Sequence, residues 1–536
     1  MRGDTIVRQN AIRIEPGHGE TTWEAAEAPL ILAIDVGSSS VRALMFDARG
    51  LQIQLSEHQI PHRLHTTSAG ASEADPENLF ELVTECIDRA LELSERRAGD
   101  IGAVATTSFW HSLMGVDASG TPTTPVYMWS DKRSGDEVPE LRSRLDATAM
   151  HQETGCRFHS SYWPAKLMWL RRTQPERVVA TRTWCSFVDF VDWRLHRSMQ
   201  TSISMASGTG LLNIDSSTWH EPILDAIAIG SSDLPSLVDR DEPLPPLTGA
   251  WRSRWPALAD IPWYPAIGDG AAANLGTGAV GNDRIAITIG TSGAMRVITE
   301  DANTPQARLS DRIWSYRLDR DFRVTGGALS NGGNVTGWLA RNFAGGNFDV
   351  LTDQAATIPP DGHGLTVLPL LAGERSPSWN DDANGVFVGV TLATKPGHIY
   401  RAVLEATAYR FASIHEALVP LVEHEHDIFV NGAAALNSPL WLQIIADTLG
   451  RPICALDAEA EASARGVAIA ALEAIGAIPT VRPESPAVDQ TYQPDPEATT
   501  VYHAAWERQQ RLEATITPFW EAVQGHAYST QYREHR

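Results

Sequence analysis

One short phrase occurs twice in this chain and constrains the fold more than any other feature. Residues 33–40 read Ala-Ile-Asp-Val-Gly-Ser-Ser-Ser, and residues 286–293 read Ala-Ile-Thr-Ile-Gly-Thr-Ser-Gly. Each is an apolar, strand-like run that ends in a Gly/Ser/Thr turn. Each leads into a second strand-like run, at 41–46 and 294–299. Such a turn offers clustered backbone N–H groups and hydroxyls, which are the donors a phosphate needs. Either copy alone reads equally well as an ordinary β-hairpin. The matched residue order and the 253-residue offset point instead to duplicated domains whose turns hold a polyphosphate from two sides.

The length allows this, because 536 residues exceed what one core supports. With 43% hydrophobic and 20% charged residues, the composition is that of a soluble globular protein. No apolar run approaches the ~20 residues that cross a bilayer. The first residues lack a signal peptide's apolar core, so a cytoplasmic protein is expected. Cys86, Cys156, Cys185 and Cys454 are widely scattered, which suits reduced thiols better than a disulfide framework or a zinc site. The net charge of −23 argues against binding nucleic acid or an anionic membrane. Lys132, Lys166 and Lys395 are the only lysines, and none follows a glycine. The GxxxxGK[ST] phosphate loop is therefore absent, and any ATP is bound without it.

Residues 1–28 read as a mobile extension. Residues 30–60 read as three strands, Asp75-Pro76 opens a helix, and 101–106 is a strand. Strand, strand, strand, helix, strand is the order of an actin/hexokinase ATPase domain. A Trp-rich segment, 151–215, reads as an insertion carrying substrate contacts. The pattern restarts near Arg284, with helices predicted at 334–342, 395–422 and 439–449. A Pro- and acid-rich linker at 477–498 precedes a closing helix at 501–523.

Several phrases could carry chemistry. In Gly268-Asp269-Gly270 the carboxylate is either a turn residue or a general base approached closely by substrate. Asp35 ends the first strand beside the phosphate turn. It makes sense there if Mg²⁺ held through water separates it from the phosphates, or else as a turn-stabilising side chain. Trp129-Ser130-Asp131-Lys132-Arg133-Ser134 combines an aromatic face, a carboxylate and an arginine able to pair with an acidic sugar. Its alternative is a solvated loop with an ion pair. His111, in Phe109-Trp110-His111-Ser112, reads first as a core histidine. Gly326-Gly327, Gly332-Gly333 and Asn431-Gly432-Ala433-Ala434 read as tight turns or as close approaches to a nucleotide.

Together these phrases resemble the FGGY family of carbohydrate kinases, its gluconokinase branch most, from about Leu30 to Ile475. The matching runs include both repeats, the 129–134 and 268–270 phrases, Ala206-Ser207-Gly208-Thr209-Gly210-Leu211, Gly373-Glu374-Arg375-Ser376-Pro377 and Ser438-Pro439-Leu440-Trp441. The resemblance implies an α/β fold of two actin/hexokinase-like (ribonuclease H-like) domains with a cleft between them. The N-terminal domain (29–279) would bind sugar, the C-terminal domain (280–480) nucleotide, and 481–536 would be linker and helix. Asp269 would be the base. His111, Trp129, Asp131 and Arg133 would bind substrate alongside it. Gly37, Ser38, Ser39, Ser40, Gly290, Thr291, Gly333, Gly337, Ala433, Ala434 and Asn437 would hold ATP. Asp35, through water, and Asp269 would hold Mg²⁺.

The family pattern is broken in three places. Ala433-Ala434 stands where a Gly-Gly pair is usual, Trp110 where a Met precedes the His, and Ser202 where an Asp is common. The first bears on the nucleotide, and the second on the size of the sugar pocket. The expected activity is ATP-dependent phosphorylation of a small sugar or sugar acid, gluconate first, with xylulose or a polyol as alternatives. A non-catalytic actin-fold nucleotide-binding protein or sugar sensor is the alternative of another class. No partner beyond the substrate is implied except a homodimer, on which the sequence is silent.

Overall fold

The computed structural model describes residues 19–94, 96–301, 308–456, 461–482 and 488–524. Its centre is a sheet built on the strand Leu30–Val36. This strand runs antiparallel to Ser40–Phe46, with Asp35 opposite Arg42, and parallel to Ile101–Ser108. Ile101–Ser108 is in turn parallel to Trp263–Gly268. The apolar run Leu30–Ile34 fits a strand covered on both faces, and Asp35 breaks it only near the C-terminal end. Helix Pro76–Leu93 packs on Ser40–Phe46. It starts as the sequence predicts, with Pro76 in its first turn and the Asp75 side chain accepting from the Asn78 N–H at 2.8 Å.

The second sheet repeats the plan. Arg284–Ile289 is antiparallel to Gly293–Glu300 and parallel to Asp427–Asn431, which is parallel to Ile453–Leu456. The repeated phrase is thus one hairpin occupying the same place in two equivalent sheets. Each sheet has its own apolar core. A third core, around Tyr127, Trp163, Trp184 and Leu211, supports the segment inserted between Ser108 and Trp263.

Three segments pack otherwise than their place in the sequence suggests. Of the extension 1–28, residues 1–18 lie outside the described residues, and 19–28 belong to the first domain. Glu20–Thr21 pairs with Gln52–Ile53, and Arg97 Nη1 captures the carbonyls of Trp23 (2.7 Å) and Ala26 (2.9 Å). Within the expected linker, Val488–Tyr492 adds an edge strand antiparallel to Ile453–Leu456. Four of its five residues are exposed, which is why its composition reads as linker. Helix Ala462–Ala474, expected in the C-terminal domain, packs on Leu30–Val36 and Ile101–Ser108 and joins the first core. Glycine explains this crossing. A Cβ on Gly276 would lie 1.8 Å from the Ala462 carbonyl oxygen, and one on Gly466 would lie 1.8 Å from that of Ala272. Any side chain at either position would separate the two helices.

On the side of the inserted segment, the two halves are clasped. Asp381 of the second half accepts from Ser160 Oγ at 2.5 Å, lies 3.1 Å from His159 Nε2 and 3.7 Å from Lys132 Nζ. These partners hold its carboxyl well below the usual range despite burial. Hydrogen bonds to charged groups contribute about 1.5–3 kcal/mol. Asp381→Ala should therefore lower the thermal midpoint and enlarge the ligand-free radius of gyration in X-ray scattering. An unchanged midpoint and radius would show that the clasp holds nothing.

Candidate active site

Three adjacent parallel strands deliver the chemistry at their C-terminal ends. Leu30–Val36 ends at Asp35 and the first turn, Ile101–Ser108 leads to Trp110 and His111, and Trp263–Gly268 leads to Asp269. The crevice at such strand ends is where open α/β sheets bind ligands. Here it forms a cavity of about 300 Å³. Ser38 of the first hairpin lines one side, and Gly290 and Ser292 of the second line the other.

Two carboxylates dominate the electrostatics. Burial pushes Asp35 up to about 7, opposed by Arg42 and reinforced by Asp269, Glu461 and Glu57. Asp269 opens helix Asp269–Gly276, surrounded by protein yet open to the cavity, and its Oδ1 accepts from the Gly270 N–H at 2.8 Å. Burial raises its pKa, and Arg296 opposes the rise most. Arg296 is fixed by Asn274 Oδ1 on Nε and Thr288 Oγ1 on Nη2, each at 3.0 Å, and burial lowers it to about 10. Beside Asp35 the Thr107 hydroxyl is buried without a partner. Two mutually repelling carboxylates and a spare hydroxyl are an oxygen donor set that suits Mg²⁺ and its waters.

On the other side of Asp269 the cavity is aromatic. Trp110 nests on glycine: a Cβ on Gly268 would lie 1.9 Å from its ring, and one on Gly208 2.5 Å. Its Nε1 donates to the Ser204 carbonyl at 2.9 Å. The ring meets Tyr316 edge-on at 4.9 Å, and Tyr316 stacks on Trp314 at 4.1 Å. Trp110 therefore fills space beside Asp269 and narrows the pocket. His111 lines the cavity, with Nδ1 2.5 Å from the Gly208 carbonyl. Burial drives its pKa down to about 3, so the ring is neutral. A carbonyl only accepts, so Nδ1 carries the proton and Nε2 is left as an acceptor. Buried Lys166 donates to the carbonyls of His111 (3.2 Å), Met128 (2.8 Å) and Ser161 (2.7 Å), pinning three substrate-side loops.

Trp129 also lines the cavity, but Asp131 and Arg133 do not. Asp131 accepts from the Ser72 N–H at 3.0 Å. Arg133 Nη2 is shared between Asp131 (2.5 Å) and Glu73 (2.7 Å), and its guanidinium lies 4.7 Å from the Trp169 ring centre. Arg133 is already paired, so the expectation that it meets a substrate carboxylate is corrected. The arginines that do line the cavity are Arg296 and Arg375. Neither was picked out by the sequence, although Arg375 sits in one of the matching runs. Tyr162, Trp314, Tyr316 and Trp379 were missed as well, being indistinguishable from core aromatics until the domains meet.

The nucleotide-side residues surround the second hairpin. The N–H groups of Gly333 and Asn334 donate to the carbonyls of Gly290 (2.8 Å) and Thr291 (3.0 Å). A Cβ on Gly333 would lie 2.5 Å from the Gly290 oxygen and 2.9 Å from the Ala434 Cβ. Gly432, at φ 94°, turns the chain into the short helix Ala433–Leu436. Ala433 and Asn437 are exposed there, and Ala434 is half-buried. Gly337 is buried one turn inside helix Gly333–Phe343. The Asn431 Oδ1 and Ser438 Oγ atoms beside this surface are buried without partners, as suits a ligand supplying polar contacts. In the first hairpin the Gly37 N–H donates to the Ser40 carbonyl at 2.9 Å. Ser38 is half-buried and Ser39 exposed.

Two facing phosphate-type hairpins, a carboxylate at the cleft floor and an aromatic pocket define a two-domain phosphotransferase. Residues 30–276 match the N-terminal domain of the FGGY family of carbohydrate kinases and residues 285–475 its C-terminal domain, and the chain belongs to that family. It is an enzyme that transfers a phosphoryl group to a sugar hydroxyl. A gluconokinase of Bacillus subtilis (strain 168) is 28% identical over 87% of this chain and 91% of its own length. A glycerol kinase of Koribacter versatilis is also 28% identical, over 90% and 97%. Among solved structures, a ligand-bound xylulose kinase from Lactobacillus acidophilus superposes with a TM-score of 0.85 at 25% identity, covering 92% of this chain and 99% of that one. A gluconate kinase from the same organism gives 0.84 at 25%, with the same coverage. Among the described residues, no helix is long and apolar enough to cross a membrane.

A carboxylate base must be ionised, and Asp269's pKa lies above its ordinary value. The acid limb of kcat/KM should therefore fall above the usual aspartate range. Arg296→Leu removes the charge that opposes this rise, so the limb should move to higher pH, while Arg296→Lys should leave it near its original position. A limb unmoved by Arg296→Leu would separate Arg296 from Asp269.

Proposed function

We propose that this enzyme phosphorylates gluconate at a terminal hydroxyl, using Mg²⁺–ATP, in the cytoplasm. The observation that carries this reading is Asp269, a carboxylate that lines the cavity between two phosphate-type hairpins. Gluconate is favoured over other acceptors by relatives named gluconokinase and by the cationic side chains lining the cavity.

Each residue has a task in this reading. Asp269 takes the proton from the attacking hydroxyl. Its raised pKa makes it a stronger base than a solvated aspartate, and Arg296 opposes that rise. Neutral His111 accepts a sugar hydroxyl at Nε2, and Trp129 offers a face for the carbon chain. The turns Gly37–Ser40 and Gly290–Thr291 donate N–H groups and hydroxyls to phosphate oxygens. Gly333, Gly432, Ala433, Ala434 and Asn437 form the surface for the nucleoside. Asp35 and Asp269 would hold Mg²⁺, which neutralises phosphate charge when bound. Closure of the two domains excludes water, and transfer is accelerated by positioning and charge neutralisation.

The test is ADP release with Mg²⁺–ATP over gluconate, xylulose, glycerol and glucitol. Gluconate should give the highest kcat/KM. Asp269→Asn should lower kcat roughly 10²–10⁴-fold while gluconate affinity changes little. Full turnover by Asp269→Asn would remove it from the base role, and a neutral acceptor preferred over gluconate would overturn the substrate. ATP binding too weak to measure would favour the sugar-sensor alternative.

A further inference from the structure

Arg375 is a partly buried arginine with no ion-pair partner among the described residues. It reaches the cavity from the second half of the chain, and its guanidinium lies 4.6 Å from the Trp129 ring centre of the first half. Its Nε is buried without a hydrogen-bond partner. Among the described residues its side chain makes neither a hydrogen bond nor an ion pair. The nearby acids are committed elsewhere. Glu374 accepts from Arg410 Nε at 2.8 Å, and Arg410 Nη2 also reaches Glu513 at 3.0 Å. Asp381 is held by Ser160, His159 and Lys132. Burial depresses the Arg375 pKa, and the groups that act against this are the Tyr316 and Tyr162 hydroxyls, Asp269 and Asp381.

A guanidinium partly withdrawn from water with a buried, unbonded Nε is costly, and proteins pair such groups. Here the rest of the fold holds it in place. Arg410 ties Glu374 to the helices Pro396–Leu418 and Pro496–Gln524, and Trp129 supports the guanidinium through a cation–π contact. Such a planar fork matches a carboxylate bidentately. Its neighbours in the cavity wall are His111, Trp129, Tyr162 and Trp379, on the aromatic side of Asp269, whereas Arg296 bonds Thr288 at the second hairpin.

Resting on the gluconate reading above, we propose that Arg375 is the carboxylate receptor of the sugar acid and sets the enzyme's preference for an aldonate over the neutral polyol. Substrate recognition is then divided between the domains. The first supplies Trp129, His111 and the base, and the second supplies the counter-charge. Arg133, a few residues from Trp129, is structural.

The pair that tests this is gluconate and glucitol, which differ only in a carboxylate against a hydroxymethyl group. Wild type should favour gluconate at least 10²-fold in kcat/KM. Arg375→Gln should collapse that ratio, chiefly by raising the gluconate KM, and Arg375→Lys should restore part of it. The ligand-free thermal midpoint of Arg375→Gln should not fall, because an unpaired cation is removed, whereas gluconate should no longer raise that midpoint. Wild type active on gluconate with the ratio unchanged in Arg375→Gln would overturn the Arg375 assignment alone. An equal loss of kcat on both acceptors would overturn it too, assigning Arg375 to the phosphoryl group. Wild type that phosphorylates neutral sugars but no aldonate would overturn the gluconate reading itself, and this proposal with it.

Discussion

Everything in the cleft depends on a place where two helices meet through their backbones. Helix Asp269–Gly276 carries the candidate base at its first residue, and helix Ala462–Ala474 arrives from the far end of the chain. Gly276 and Gly466 let them approach until only hydrogen fits between them. Arg465 then donates to the Gly276 carbonyl and, at 3.0 Å, to that of Gly50. Glu461, at the head of the second helix, pairs with Arg42, which faces Asp35 across the first hairpin. One crossing thus fixes the candidate base, the first hairpin turn and a connection to the C-terminal domain.

The two copies of the hairpin share geometry but not charge. In the first copy Asp35 is balanced imperfectly by Arg42 and repelled by Asp269. This is a state that a divalent cation would relieve. In the second copy the corresponding position is Thr288, whose hydroxyl accepts from Arg296, the arginine that tempers Asp269. The duplication therefore supplies both walls, and in the proposed reading divergence at one position would separate a metal-facing wall from a phosphate-facing one. Aromatic packing performs the equivalent division on the acceptor side, where Trp110, Trp314 and Tyr316 limit volume while Arg375 supplies charge.

What the sequence revealed follows from how local each signal is. The hairpins are contiguous, and their turns are written in Gly, Ser and Thr, so both could be read directly. Asp269 is flanked by glycines, and those glycines exist because Trp110 lies on them. Trp129 was legible as part of a phrase. Arg133 was misread because Trp-x-Asp-x-Arg looks the same whether the arginine faces ligand or pairs with its own aspartate. Arg375 could not be assigned because its isolation is a property of distant neighbours, namely the commitment of Glu374 to Arg410 and of Asp381 to Ser160. The packing of helix Ala462–Ala474 against the first sheet was hidden for the same reason. Gly276 and Gly466 are informative only as a pair.

The most direct test of the central claim is a crystal structure with gluconate and a non-hydrolysable ATP analogue bound together. This account predicts a terminal gluconate hydroxyl within about 3 Å of Asp269. It also predicts the terminal phosphate between the turns at Gly37–Ser40 and Gly290–Thr291. A gluconate hydroxyl poised away from Asp269, or phosphates lying outside the two hairpins, would contradict it.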